Sequence, residues 1–175
     1  LFPYTTLFRS DRLIPGHWEG DLIKGAGNRS SVGTLVERTT GFVVLAKMDN
    51  ATTKAVVDSF SAVLNREPAA MRKTMTYDQG REMYAHKTLT ERTGVQIYFA
   101  DPHSPWQRGS NENTNGLLRQ YMPKGSDLSI YTQDELDAIA LSLNTRPRAR
   151  LNYESPLVVY TQHITLLQAP TTTVN

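Results

Sequence analysis

"SVGTLVERTTGFVVLAKM", residues 31 to 48, holds two runs rich in apolar and β-branched residues on either side of Thr40 and Gly41. Two such runs around a turn signal read as paired strands. Just upstream, "WEGDLIK" (18 to 24) reads as another strand, so the N-terminal part of the chain predicts a three-strand meander. The period then changes. In "ATTKAVVDSFSAVLNRE" (51 to 67) the apolar residues Val56, Val57, Phe60, Val63 and Leu64 recur at helical spacing, with Thr52 or Thr53 placed as cap. "RKTMTYD" (72 to 78) predicts a short strand that ends at an acid and is followed by the turn signal Gln79-Gly80. A helix around 85 to 93 and a strand "VQIYFA" (95 to 100) come next, closed by Asp101-Pro102. A helix carrying Glu112 follows, and then one that opens on the capping box Thr132-Gln133-Asp134-Glu135 and stops at Pro147. The order β-β-β-α-β-α-β-α-α predicts an α/β fold, a mixed five-stranded sheet flanked by helices.

At 175 residues and 39% apolar content, the chain suits one core. It has no cysteine, which excludes disulfides and thiolate metal sites and leaves carboxylates and four histidines as ligands. A net charge of +2 gives only weak support for a nucleic-acid partner. The run "NTRPRAR" (144 to 150), with Arg146, Arg148 and Arg150, reads equally as a phosphate-binding patch or as a solvated loop. No apolar run approaches the roughly 18 residues of a bilayer span, and no signal pattern opens the chain, so the expectation is a cytoplasmic protein without membrane contact. Residues 11 to 160 are expected to form the core domain, and 161 to 175 a weakly ordered tail. The opening "LFPYTTLFRS" (1 to 10) has no period and resembles a translated short-read sequencing adapter. It is taken as a non-native segment in front of a truncated chain.

"SPWQRGSNENTNG" (104 to 116) sets one acid, Glu112, among glycines and asparagines. A plain helix start explains an early Glu, with Ser110 or Asn111 as cap. The angles say more. At about 100° per residue, Arg108, Gly109, Gly116 and Arg119 share the Glu112 face, while Leu117, Leu118 and Tyr121 lie opposite. Two glycines there cost helix stability, about 1 kcal/mol for one in an interior position, yet let a bulky ligand approach the backbone.

Asp21 falls inside the first predicted strand and Asp78 at the end of the fourth, places where Asp is depleted. A buried carboxylate without partners neutralises, whereas a cation held among several carboxylates compensates their charge. With the first and fourth strands adjacent, Asp21 and Asp78 can converge, and Glu112 can reach them from a helix packed nearby.

"HWEGDLIKG", "TYDQGREM", "SPWQRGSNENTNGLLRQYMPKGSDL" and "LNTRPRARLNYESPLVVY" together resemble the catalytic core of DDE transposases of the insertion sequence family numbered thirty, within the retroviral-integrase-like superfamily. The resemblance covers about residues 12 to 160. Residues 79 to 111, 33 in all, separate Asp78 from Glu112, the spacing that family uses. It implies a ribonuclease-H-like fold, with Asp21, Asp78 and Glu112 as catalytic and metal-binding triad for two Mg²⁺ ions, Mn²⁺ being a substitute. It also implies cleavage at transposon ends and strand transfer into target DNA, which is polynucleotidyl transferase and endonuclease chemistry. The partners would be transposon-end and target DNA, bound by a dimer or larger assembly, in a bacterial, nucleoid-associated setting.

Arg108, Arg119 and Lys124 are candidate phosphate contacts. Trp106 reads as a packing anchor, His103 as a loop histidine, and Glu19 and Glu82 as supports for the triad. Two rival functions stand beside transposition: a nuclease of the same fold that only hydrolyses, and an inert DNA-binding fragment of a transposase.

Overall fold

Alternation in "HWEGDLIK" sorts the first strand, β1 (His17–Lys24), into two faces. Trp18 and Leu22 join one apolar cluster, while Ile23 joins another. The computed structural model describes residues 13–78, 80, 83–101 and 109–169. Beyond β1, the chain forms β2 (Ser31–Glu37), β3 (Val43–Met48), α1 (Thr53–Leu64), β4 (Thr74–Tyr77), α2 (His86–Thr93), β5 (Gln96–Phe99), α3 (Gly109–Leu118), α4 (Gln133–Asn144) and α5 (Pro156–Gln168). The sheet order is β3-β2-β1-β4-β5. β1, β2 and β3 pair antiparallel, whereas β4 pairs parallel with both β1 and β5. This is the mixed five-stranded sheet that the sequence predicts, with the first and fourth strands side by side.

Each face of the sheet has its own apolar layer. On one, Leu35, Met48, Met75 and Tyr77 pack with Val56, Phe60 and Leu64 of α1, Leu89 of α2 and Tyr160 of α5. On the other, Val32, Val36, Val43 and Leu45 pack with Leu118 of α3 and Leu136, Ala140 and Leu143 of α4. The helix starts are those the side chains call for. Ala55 donates its N–H to the Thr52 hydroxyl at 3.3 Å. In the capping box, Glu135 N–H bonds Thr132 Oγ1 at 3.2 Å while Thr132 N–H bonds Glu135 Oε2 at 2.8 Å. The β2–β3 turn closes on the buried Glu37, whose carboxylate takes the N–H and hydroxyl of Thr40 at 2.8 and 2.7 Å.

Three contacts pin β1 against β4. The Trp18 indole N–H bonds the Met71 carbonyl at 2.7 Å, and His17 Nδ1 lies 2.7 Å from Thr74 Oγ1. A Cβ on Gly20 would stand 2.8 Å from a Tyr77 ring carbon, so only glycine permits this approach. At the far edge, α4 attaches to β3 through two side-chain amides. Asn144 bonds both the N–H and the carbonyl of Val43 at 2.8 Å, and Gln133 takes the Lys47 N–H and donates to the Leu45 carbonyl.

Beyond Tyr160 the sequence predicts a weakly ordered tail, but the structure carries α5 through to Gln168. Ser155 caps it and Pro156 sits in its first turn. What holds it is Tyr160. Its ring stacks on Phe42 at 4.1 Å between centroids and meets Trp18 edge-on at 6.3 Å, and its hydroxyl donates to Glu67 Oε2 at 2.6 Å. These partners lie far off in sequence, and composition does not reveal them. Residues 1 to 10 and 170 to 175 lie outside the described residues.

Burial holds the Glu67 carboxyl above its ordinary value of 4.5, although the Tyr160 hydroxyl and Arg66 oppose the shift. A raised folded pKa contributes stability below the unfolded value, and that contribution is lost as pH rises through the folded value. Glu67→Gln keeps an acceptor for Tyr160 without the charge. Chemical denaturation at pH 4 and pH 7 should therefore show the variant gaining stability relative to the unaltered chain at the higher pH.

Candidate active site

The register of β1 on β4 pairs His17 with Thr74, Trp18 with Met75 and Glu19 with Thr76. Residues paired across strands share a face, and each second residue returns to it. Two steps past Glu19 and Thr76, the same offset sets Asp21 beside Asp78, on the face opposite to the buried Met75 and Tyr77. Asp21 lies within β1, and Asp78 follows directly on the last residue of β4. Both are half-buried.

α3 packs on this face. Asn115 Nδ2 donates to Asp21 Oδ2 at 3.0 Å, and the Leu22 N–H bonds Asp21 Oδ1 at 2.8 Å. Asn115 follows Glu112 by three residues, so the two share one side of the helix. Glu112 is exposed in the first turn of α3. Ser110 and Asn111, the capping residues expected from sequence, lie inside the helix. Asn111 is fully buried and faces the sheet instead. It donates its backbone N–H to Glu19 Oε2 at 2.9 Å and its amide to the Glu19 carbonyl at 3.0 Å, and accepts from the Thr34 hydroxyl at 2.9 Å.

The structure thus sets Asp21 within β1 and Asp78 just past the end of the neighbouring β4, and ties the helix of Glu112 to Asp21. Among the described residues, however, no three of His, Asp and Glu lie close enough together to hold one ion. One further oxygen belongs to the amide that bonds Asp21. Asn115 Oδ1 is buried and has no hydrogen-bond partner among the described residues. Sequence reasoning offers Asn111 only as a cap and does not single out Asn115. Their only signal was an unusual density of asparagine in "SNENTNG", and their partners lie more than 75 positions away.

The basic residues divide. Lys124 is exposed. Arg119 directs N–H groups to the carbonyls of Met122 and Lys24, each at 3.3 Å. Arg108, His103, Trp106 and Glu82 lie outside the described residues. The arginine run is structural: Arg146 sits 5.7 Å over the Tyr121 ring, Arg148 bonds the Leu143 carbonyl, and Arg150 bonds the Thr39 carbonyl at 2.9 Å. Burial, with Arg146 nearby, pulls the Arg148 pKa below its ordinary value.

The family model for the integrase core domain matches residues 13–105, just over half of the chain. The transposase for insertion sequence element IS1086 of Cupriavidus metallidurans is 63% identical over 153 residues, 87% of this chain and 45% of that protein. Transposase InsI for insertion sequence element IS30A of Escherichia coli is 43% identical over 151 residues, 86% of this chain and 39% of that protein. The chain therefore spans less than half the length of these relatives. Among solved structures, the catalytic core domain of BIV integrase superposes with a TM-score of 0.65 at 18% identity, covering 88% of this chain and 99% of that one. A simian T-cell lymphotropic virus intasome, solved in complex with PP2A regulatory subunit B56 gamma, gives 0.59 at 18% identity, over 75% of this chain and 49% of that one. The fold is ribonuclease-H-like, as the sequence resemblance implies.

Around Glu112, a Cβ added at Gly109 or Gly116 meets nothing within 4 Å among the described residues. Packing therefore does not require either glycine. Gly116→Ala should stabilise the chain by up to about 1 kcal/mol, the helix-propensity gain, read as a higher denaturation midpoint.

Proposed function

We propose a function from one premise: the chain belongs to the integrase core domain family, among the DDE transposases of the insertion sequence family numbered thirty. The proposed function is that of a DNA transposase catalytic core, which cleaves phosphodiester bonds at transposon ends and joins the freed ends to target DNA. The observation that carries it is the β1–β4 register, which favours Asp21 and Asp78 on one face, with α3 tied to Asp21 there.

Asp21, Asp78 and Glu112 would hold the metal ions, and the chemistry of their donors fits such ions. The donors are all hard oxygens, as Mg²⁺ prefers, and Asn115 Oδ1, without a hydrogen bond among the described residues, belongs to the amide that bonds Asp21. Bound there, the ions would supply charge stabilisation at the attacking and leaving oxygens of an in-line displacement. The chain does the rest. Asn115 and the Leu22 N–H orient the two oxygens of Asp21. Gly109 and Gly116 keep the α3 surface low enough for a sugar-phosphate backbone to approach. Lys124, with Arg119 and Arg108, would draw phosphates toward that face. Water attacks first, leaving a 3′ hydroxyl at the transposon end, and that hydroxyl then attacks target DNA without a covalent enzyme intermediate. Joining two ends requires two copies of the core, so the active species on DNA is a dimer or larger.

Asp78→Asn keeps the size of the side chain and removes its charge. Since changes to residues behind a metal ligand already cost 10- to 100-fold, loss of a ligand should lower Mg²⁺-dependent nicking by more than about 100-fold. DNA affinity should stay within about threefold, under about 0.7 kcal/mol. Undiminished nicking by the purified variant would sink the metal role, and a strand-transfer assay on pre-cleaved ends separates transposition from hydrolysis alone.

DNA binding should weaken steeply with salt, and Lys124→Ala should flatten the plot of log affinity against log salt by about one unit, as expected for one lost phosphate contact. An unchanged slope in filter binding would remove Lys124 from the interface.

A further inference from the structure

α3 is a poor helix by composition. "GSNENTNGLL" has two glycines and three asparagines in ten residues, and all of them rank low in helix propensity. It must be held from outside, and the holding begins at a buried charge. Glu19 is 2% exposed. One of its carboxylate oxygens accepts the Asn111 N–H at 2.9 Å, and the other lies 3.2 Å from Arg38 Nε. The Asn111 N–H belongs to the first turn of α3, where backbone donors have no partner within the helix and negative charge is favoured.

A buried ion pair is a weak way to add stability, because desolvation offsets much of the attraction and an apolar pair of similar volume often does better. Its geometric output is more specific. Glu19 lies two residues before Asp21 on the same strand face, and Asn111 is the residue next to Glu112. Thr34, the cross-strand partner of Asp21, holds the Asn111 side chain from β2 and also reaches the Asp21 carbonyl, at 3.3 Å. Asn111 is therefore fixed from two strands, both of them beside Asp21.

We propose that the buried Glu19 carboxylate is a positioning residue: by holding the Asn111 N–H while paired with Arg38, it sets the first turn of α3, and with it Glu112, against the strand that carries Asp21. The proposal rests on the triad reading above. Glu19 acts through the backbone of α3.

Glu19→Gln in the full chain tests this, since the amide matches the carboxylate in size and lacks its charge. Two readouts are needed. Hydrogen exchange of the 109–118 amides should accelerate while the β1–β3 amides keep their protection. Mn²⁺ binding, followed through the signal of the free ion, should weaken by about tenfold, the scale for residues that orient a metal ligand. A merely structural role would raise exchange throughout the chain and leave Mn²⁺ affinity where it was, and that result overturns the proposal. Should Glu19→Gln fail to fold, Thr34→Val removes the other half of the clamp at nearly constant shape. Local exchange and weaker Mn²⁺ binding in Thr34→Val support the clamp, and unaltered values in both overturn it. If Asp78→Asn binds Mn²⁺ as the unaltered chain does, the triad reading falls and takes the proposal with it. If Asp78→Asn loses Mn²⁺ binding and Glu19→Gln does not, the clamp alone falls.

Discussion

Two strands that run parallel cannot be joined by a tight turn, and the pairing of β1 with β4 obliges the chain to travel away and return. It uses the journey to build β2, β3 and α1, which supply nearly half of the buried residues in one apolar layer, before β4 comes back beside β1. Everything at the candidate site depends on where β4 lands. A slip of one residue would exchange the faces of β4, turning Asp78 toward the layer of Met75 and Tyr77. The Trp18 indole on Met71, His17 on Thr74 and the close approach of Gly20 to Tyr77 all resist that slip, and each acts on β1 within four residues of Asp21.

The two faces of the sheet do different work. The α1–α2–α5 face is apolar almost throughout and closes on a large aromatic group, Trp18, Phe42, Phe60, Tyr77 and Tyr160. The α3–α4 face is apolar only toward β3, and where it meets β1 it turns to Glu19, Thr34, Asn111 and Asn115. Polar residues in such a place are costly unless bonded to one another. Here the bonds run from strand to helix, so the same contacts that satisfy them also fix the helix.

Sequence reading recovered whatever is written in short-range pattern. The strand of Asp21, the amphipathic α1 and the Thr132 capping box follow from period or from residues three or four apart, and each strand and helix before α5 lies within a few residues of its expected place. The face shared by Asp21 and Asp78 could be suggested but not fixed, because register is a property of two strands more than fifty residues apart. α5 was missed for the same reason: Tyr160 finds Phe42, Trp18 and Glu67 across the fold. So was the arginine run, whose guanidinium groups meet carbonyls and a tyrosine ring that no local spacing announces. Sequence reading offers Glu19 as a support for the triad but not the contact through which it acts. Only the fold brings it to Asn111, 92 positions on.

The amides of Gln133 and Asn144 have a consequence for how copies of this chain can meet. β3 is an outer strand, and an outer strand offers a ladder of open donors and acceptors to any other strand that approaches. Along β3 the Val43 N–H and carbonyl, the Leu45 carbonyl and the Lys47 N–H are already bonded from α4. A strand added on this side, from a second copy or an unfolded neighbour, would have to displace those side-chain amides first. Crowding copies of the chain together therefore does not invite their β3 edges to zip into fibres.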